Sequence, residues 1–171
     1  ALMRQDQYFC GNYQPLRFTS FFLFLLINLF GSCHYPGYSE KNVSVPRQAW
    51  ASSFQPAFTF EITDTLSLYR LYVVLRHTDA YPYKNIWIDI TSTLPGEKPV
   101  TERRNLMLAT DDQGWLGKGM DDLYEHRILL NQQPAKFRKS GTYTYTLHHL
   151  MREDPLPHLM NIGMRVEKVS E

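Results

Sequence analysis

The sequence predicts an all-β domain, an antiparallel β-sandwich of seven or eight strands with a jelly-roll-like arrangement. Apolar residues recur at every second position in several segments, which is the period of a half-buried strand. Clusters rich in Pro, Gly, Asp and Asn separate these segments. Because the intervals are too short for the helical crossovers that parallel strands need, the strands are expected to pair antiparallel in two packed layers.

Four segments alternate most clearly, and each is expected to form one strand with an inward apolar face. Weaker alternation predicts three further strands within residues 100–108, 123–131 and 162–169. Together these segments account for the predicted strand number. The inward residues of the four clear strands are expected to be Phe58, Phe60 and Ile62; Tyr69, Leu71, Val73 and Leu75; Ile86, Ile88 and Ile90; and Tyr143, Tyr145, Leu147 and Met151.

An apolar run begins at Phe18 and ends in Gly31, Ser32 and Cys33. A transmembrane helix needs about 20 apolar residues, so this shorter run is more typical of the apolar region of a secretory signal. Small residues directly before a cysteine resemble a bacterial lipobox, in which the signal peptide is cleaved and the cysteine carries lipid. Phe30 departs from the lipobox pattern, which usually has Leu there.

This interpretation divides the chain into three parts. Residues 1–32 are predicted to be an N-terminal extension with a lipoprotein signal peptide. Residues 33–54 are predicted to be a lipid anchor at Cys33 and a tether, because they mix Pro, Gly, Ser and charged residues with little periodicity. Trp50 and Phe54 are expected to mark where the tether docks on the domain. Residues 55–171 are predicted to form the β-sandwich.

The charge balance argues against nucleic acid as a partner. Without Arg4, Arg17 and Asp6, the 18 basic and 17 acidic residues become equal in number, whereas nucleic-acid-binding proteins carry a basic excess. The two cysteines, Cys10 and Cys33, lie at or before the predicted cleavage point. The folded domain is therefore expected to have neither a disulfide nor a free thiol.

The search for chemistry in the sequence finds no enzyme signature. Acidic pairs at Asp111-Asp112 and Asp121-Asp122 lack the spacing of a calcium loop, and a solvated turn explains them better. His148 and His149 are adjacent on a predicted strand and so point to opposite faces. No nucleophile elbow or phosphate-binding loop is present. We therefore predict no catalytic residue, no metal site and no cofactor.

Four aromatic residues are the candidate binding residues. Tyr81 and Tyr83 flank a proline, Trp87 lies on the polar face of the next predicted strand, and Trp115 lies in a glycine-rich loop. Large rings with a polar group are favoured at surfaces that bind protein or sugar. The alternative is that these rings cap the ends of the sandwich core.

Four ordered motifs resemble the GldH family of gliding-motility lipoproteins: LRHTDAYPYKNIWI, GWLGKGMDDLYEHRI, SGTYTYTLHHLMREDPL and IGMRVEK. They span essentially the whole predicted mature domain behind the lipobox cysteine. The resemblance marks Cys33 as the lipidated position and supplies no catalytic residues. The other positions that match the family pattern are Tyr81, Pro82, Tyr83, Asn85, Gly114, Trp115, Gly117, Gly119, Gly141, Tyr143 and Arg165.

This resemblance implies a non-enzymatic lipoprotein of the cell envelope that serves the gliding machinery and its associated protein secretion system. Its expected partners are a membrane, expected to be the outer membrane, through Cys33, and other envelope proteins. Whether the domain faces the periplasm or the exterior stays open. A carbohydrate-binding lipoprotein is the alternative, and it would need two or three of the candidate aromatic rings coplanar on an exposed face. A hydrolase with unidentified acid residues is a third hypothesis.

Overall fold

The computed structural model describes residues 37–169, which contain thirteen β-strands and one short 3-10 turn at Pro46–Gln48. The strands are β1 (Tyr38–Ser44), β2 (Ala49–Trp50), β3 (Ala57–Ile62), β4 (Tyr69–Thr78), β5 (Asn85–Thr93), β6 (Val100–Met107), β7 (Ala109–Thr110), β8 (Gly114–Trp115), β9 (Lys118–Met120), β10 (Leu123–Leu129), β11 (Gly141–His149), β12 (Leu156–Pro157) and β13 (Leu159–Lys168).

Nine of these strands form two main sheets. The first has the strand order β1-β13-β4-β10-β9 and the second has the order β3-β11-β5-β6. Every pairing in both sheets is antiparallel. Side chains of both sheets meet in one apolar core. The predicted antiparallel β-sandwich is therefore confirmed, with nine main strands instead of seven or eight, while the jelly-roll connectivity stays a prediction.

The core contains the residues whose alternation predicted the strands. Val73, Leu75 and Ile88 are fully buried, and Leu147 and Ile162 pack beside them from other strands. All seven segments that were predicted from alternation contain a main strand. Alternation identified these strands because one face of each is buried and the other is not.

The predicted boundary of the sandwich at residue 55 is wrong, because part of the predicted tether belongs to the fold. Strand β1 pairs with β13 over its whole length, from Tyr38 opposite Glu167 to Ser44 opposite Asn161. Trp50 is fully buried, and its indole N–H donates to the carbonyl oxygen of Phe54. Within the described residues, the folded domain therefore includes β1 from Tyr38 onward.

Charged side chains connect four strands across the outer face of the first sheet. Arg165 contacts Glu167 at 2.6 Å and Glu40 at 3.3 Å, and its guanidinium lies 3.5 Å from the ring centroid of Tyr38. The chain of ion pairs alternates in sign, so each charge has a partner of opposite sign. Its members in order are Arg76, Glu125, Arg127, Glu40, Arg165 and Glu167.

The two lateral sides of the sandwich differ. On one side β1 contacts β3, so the edges of the two sheets meet there. On the other side lie β6, which is the edge of the second sheet, and β9 and β10 of the first. Strand β9 has three residues and pairs with only part of β10. This second side therefore leaves a stretch of β10 open.

Candidate functional site

Five rings pack together near the end of β4, and we call them the His77 cluster: His77, Tyr81, Trp115, Tyr124 and His126. His77 is the next inward position of β4 after Leu75. Tyr124 lies directly opposite His77 in the register of β4 and β10, and His126 is two residues further along β10. The pairing of these two strands brings His77, Tyr124 and His126 together, and Tyr81 and Trp115 join them from the loop after β4 and from β8.

His77 is at the centre of the cluster. Its ring centroid lies 4.4 Å from that of Trp115, 4.9 Å from that of His126 and 5.2 Å from that of Tyr81. The two histidine rings are stacked at 18°, whereas the Trp115 ring is edge-on to His77 at 60°. His77, Tyr81 and His126 are buried. The cluster is therefore part of the core wall and not an open platform.

Two hydrogen bonds fix the protonation of the histidine pair. Nδ1 of His77 lies 2.7 Å from the carbonyl oxygen of Thr78, and a carbonyl can only accept, so this nitrogen carries a proton. In the neutral ring, Nε2 of His77 is then an acceptor. It lies 2.8 Å from Nε2 of His126, which must be the donor. Three of the four ring nitrogens are thus occupied by these bonds.

Burial keeps both histidines neutral near pH 7. Burial, with a smaller contribution from neighbouring His77, lowers the pKa of His126 to about 4. Burial also lowers the pKa of His77, although its bond to the Thr78 carbonyl acts in the opposite direction. Burial raises the pKa of Tyr81 well above its usual value, so its hydroxyl stays protonated and donates to the Asn85 carbonyl oxygen at 3.2 Å.

Gly117 allows the chain to pass closely over this pair. A Cβ atom at this position would lie 2.7 Å from the carbonyl oxygen of Glu125 and 2.8 Å from Nε2 of His126. Backbone and a buried ring cannot move away easily, so a side chain at residue 117 would push β10 or the cluster out of place. The glycine is therefore required by the close approach of the chain.

The structure brings together three of the four predicted binding residues. Tyr81 and Trp115 belong to the His77 cluster, and the Tyr83 ring packs against Tyr81 at 5.9 Å. Trp87 lies on the outer face of the second sheet, 42% exposed, and no ring contact joins it to the cluster in the described part of the chain. The planes of Tyr81 and Tyr83 differ by 74°, and those of Tyr81 and Trp115 by 50°.

These angles do not form the coplanar exposed surface that the sugar-binding alternative needed. Tyr81 is only 3% exposed, so its ring belongs to the core and packs against Tyr83 and Trp115 from the buried side. Tyr83 is anchored by a 3.0 Å hydrogen bond from its hydroxyl to Glu153. A binding role for these four aromatic residues stays a prediction.

Sequence reasoning missed the pairing of His77 with His126. The two residues are 49 positions apart, and only the register of β4 and β10 makes them neighbours. A signal was present for His77, since it continues the inward series of β4 that ends at Leu75. For His126 the signal was its two-residue spacing from Tyr124 and Ile128.

The remaining polar candidates have local roles. Asp111 forms an ion pair with Lys84, which lowers the pKa of its carboxyl group. His149 is buried against the edge of the Trp50 ring. Within residues 37–169, no group of three or more His, Cys, Asp or Glu side chains is arranged to hold a metal ion.

A groove of about 430 Å³ lies on the open side of the sandwich. It runs beside β10, and His126 forms part of its wall. Half-exposed apolar side chains give it much of its surface. The full set of lining residues is Met107, Leu116, Gly117, Lys118, Glu125, His126, Arg127, Ile128 and Leu129.

The predicted membrane anchor lies outside the described part of the chain. Cys33 and the apolar run before it precede residue 37, where the description begins. Among residues 37–169, no helix has the length and apolar character needed to cross a bilayer.

These features define an antiparallel β-sandwich domain with a neutral histidine pair in its wall and an apolar groove on one side. The sequence profile of the family described as GldH lipoprotein matches residues 38–166, which is nearly all of the described domain. The chain belongs to the GldH lipoprotein family.

Two curated relatives agree with this assignment. One is a gliding motility lipoprotein GldH homolog of Christiangramia forsetii, 23% identical over 158 residues that cover 88% of this chain and 96% of the relative. The other is gliding motility lipoprotein GldH of Flavobacterium johnsoniae, 24% identical over 70% of this chain and 78% of the relative.

Among solved structures, the VP2 subviral particle of infectious bursal disease virus aligns with a TM-score of 0.33 and 15% identity. The alignment covers 77% of this chain and about a third of that capsid chain.

Proposed function

We propose that this chain is a membrane-anchored, non-enzymatic component of the gliding-motility machinery and of the protein secretion system coupled to it. The observation that carries the proposal is the family match, because it extends over the folded sandwich from residue 38 to residue 166. Both relatives described above are named for gliding motility. The proposed partners are other envelope proteins of the same machinery.

The anchor is proposed to be lipid attached to Cys33, in the outer membrane. Gly31 and Ser32 precede this cysteine as in a lipobox. Each buried methylene of an acyl chain contributes about 0.8 kcal/mol, and two or more chains give stable anchoring. Four residues separate Cys33 from the start of β1 at Tyr38.

The chemistry of the His77 cluster supports a role without catalysis. A general base needs a ring nitrogen within hydrogen-bonding distance of the group that it deprotonates. Nδ1 of His77 is occupied by a carbonyl, and the two Nε2 atoms are occupied by each other. Nδ1 of His126 takes part in neither bond, but burial lowers the pKa of this ring to about 4, which makes it a weak base near pH 7. The pair therefore serves to hold β4 to β10.

The test is a deletion strain of the source organism, complemented with wild type, Cys33→Ala or Cys10→Ala. Surface spreading, the amount of exported cargo protein and incorporation of an alkyne palmitate analogue into the protein are measured. We expect wild type and Cys10→Ala to restore spreading and export and to incorporate label. We expect Cys33→Ala to be unlabelled, to leave the membrane fraction and to restore neither trait.

Cys10→Ala is the matched control, because it removes the other cysteine from the part of the chain predicted to be cleaved off. Unchanged spreading and export in the deletion strain would contradict the proposed function. Full labelling of Cys33→Ala would contradict the anchor alone.

A further inference from the structure

We propose that the groove on the open side of the sandwich binds an extended peptide segment of a partner protein, which adds as a strand to the edge of β10. This inference rests on the proposed function only in taking the partner to be a component of the same machinery. In strand addition, main-chain hydrogen bonds supply affinity and pockets for alternate side chains supply specificity. Both elements are present at this groove.

The main-chain element is the uncovered half of the β10 edge. Strand β10 pairs with β4 along its whole length, but with β9 only over Leu123–Glu125. The N–H of Leu130 donates to the carbonyl oxygen of Leu71, which is the next position in the same register. Hydrogen-bonded positions alternate along an antiparallel pair, so the even-numbered residues of β10 bond to β4.

The odd-numbered residues consequently direct their backbone groups away from β4. For Arg127 and Leu129, which lie beyond the end of β9, no backbone group of residues 37–169 bonds to them on that side. Their two N–H and two C=O groups therefore form a free edge that can accept one short strand. Leu116, two residues before β9, donates its N–H to the carbonyl oxygen of Leu108 and not to β10, so the pairing is not extended on that side.

The side-chain element is the apolar wall beside this edge. Met107, Leu116 and Leu129 are 50%, 45% and 42% exposed, and all three line the groove. The neighbouring edge strand β6 is different, since it carries exposed Glu102 and Arg103. Charges on an edge strand discourage pairing with other chains. Of the two open positions of β10, Arg127 is charged and held in an ion pair with Glu125, whereas Leu129 is apolar and lacks this protection.

Charge indicates which occupant the groove favours. Arg127 is neutralised by Glu125 at 2.7 Å, whereas Lys118 has no ion-pair partner within residues 37–169. The groove therefore has a positive excess at the Lys118 end, which favours a peptide with a carboxylate near one terminus. A second copy of this chain would bring a second Lys118 into the same groove, and like charges oppose that arrangement.

The test uses the full chain in detergent micelles and a blocked peptide of alternating valine and threonine with aspartate at both ends. Amide resonances and hydrogen exchange are followed by NMR during titration to about 1 mM peptide. We expect shifts confined to the groove, and exchange of the Arg127 and Leu129 amides slowed by about tenfold or more at saturation. The control peptide has the same side chains and N-methyl groups on alternate residues, and we expect it to have no effect.

Two variants separate backbone from side chain. Leu129→Pro removes the outward N–H, which an edge strand tolerates, and should abolish the protection, whereas Leu129→Ala keeps the N–H and should retain it in weaker form. Equal binding of the N-methylated peptide would overturn the proposal, as would no binding at the highest concentration. Protection that rises with protein concentration without peptide would also overturn it, in favour of a second copy. These experiments measure binding at the groove alone, so a failure of this proposal can be distinguished from a failure of the motility test.

Discussion

Lowering the pH should destabilise the domain through the buried histidine pair, and His126→Gln should remove part of that effect. His126 stays neutral in the fold because burial lowers its pKa from 6.5 to about 4. In the unfolded chain the same ring binds a proton as the pH falls below 6.5. Between pH 6.5 and pH 4 the unfolded state therefore holds more protons, so the free energy of unfolding decreases as the pH falls.

The magnitude follows from the interval between the two pKa values. At about 1.4 kcal/mol per pH unit, the largest possible loss from His126 is about 3.4 kcal/mol. His126 lines the groove, and solvent there screens the charge, so we expect about 2 kcal/mol. The loss should begin near pH 6.5 and be complete near pH 4. His77 is hydrogen-bonded to His126, so the substitution also changes the surroundings of His77, and the difference between wild type and variant reports the histidine pair as a unit.

The assay is urea unfolding at several pH values from 7 to 4, followed by tryptophan fluorescence because Trp115 lies in the cluster. The quantity of interest is the difference in unfolding free energy between wild type and His126→Gln as a function of pH. His158→Asn is the control, since it removes an exposed imidazole at a left-handed backbone position that Asn tolerates. If the free energy of unfolding fell with pH by the same amount in wild type and in His126→Gln, the reasoning would be refuted.

Two further substitutions test the packing around the groove and the outer ion pairs. Gly117→Ala should lower the free energy of unfolding by about 2 kcal/mol, because the added Cβ meets backbone and the His126 ring. The control Gly37→Ala, whose Cβ would have its nearest atom at 3.9 Å, should change the free energy of unfolding by less than about 0.5 kcal/mol. Arg165→Ala should lower the free energy of unfolding by about 2 kcal/mol, because Glu40 and Glu167 are partly buried and each loses a partner. The control Arg104→Ala removes an exposed ion pair and should lower it by less than about 0.5 kcal/mol. Urea unfolding at pH 7 measures both, and equal costs within either pair would contradict the reasoning.

The strands that could be predicted from sequence are those with one buried face. In β5, Ile86, Ile88 and Ile90 are buried while Trp87 is exposed, so the period of two is visible in the residue types. Strand β1, with the sequence YSEKNVS, has no such pattern. Its ladder partner includes Gly163, where a Cβ would collide with the Asn42 side chain, and its outer face joins the ion pairs. A strand held by pairing and charge looks like a linker in sequence.

The candidate site was predicted in part for a different reason. Tyr81 and Trp115 were identified as large rings in turns, and the structure places both in one cluster. Nothing in the sequence connects His77 with His126, because the connection depends on which residues of β4 and β10 are opposite each other. A shift of the register by one residue would turn one ring of the pair to the outer face. Register is a property of the assembled sheet, so local patterns could not supply it.

The His77 cluster and the groove share strand β10. His126 and Arg127 are neighbours on β10, so one side chain fixes the strand to the core while the backbone of the next residue faces the open edge. Because the histidine pair holds β10 against β4, the free N–H and C=O groups are presented on a rigid strand, and a rigid edge loses little entropy when a peptide adds to it. Loosening the pair, by low pH or by His126→Gln, should therefore weaken peptide binding even though His126 makes no bond to the peptide backbone.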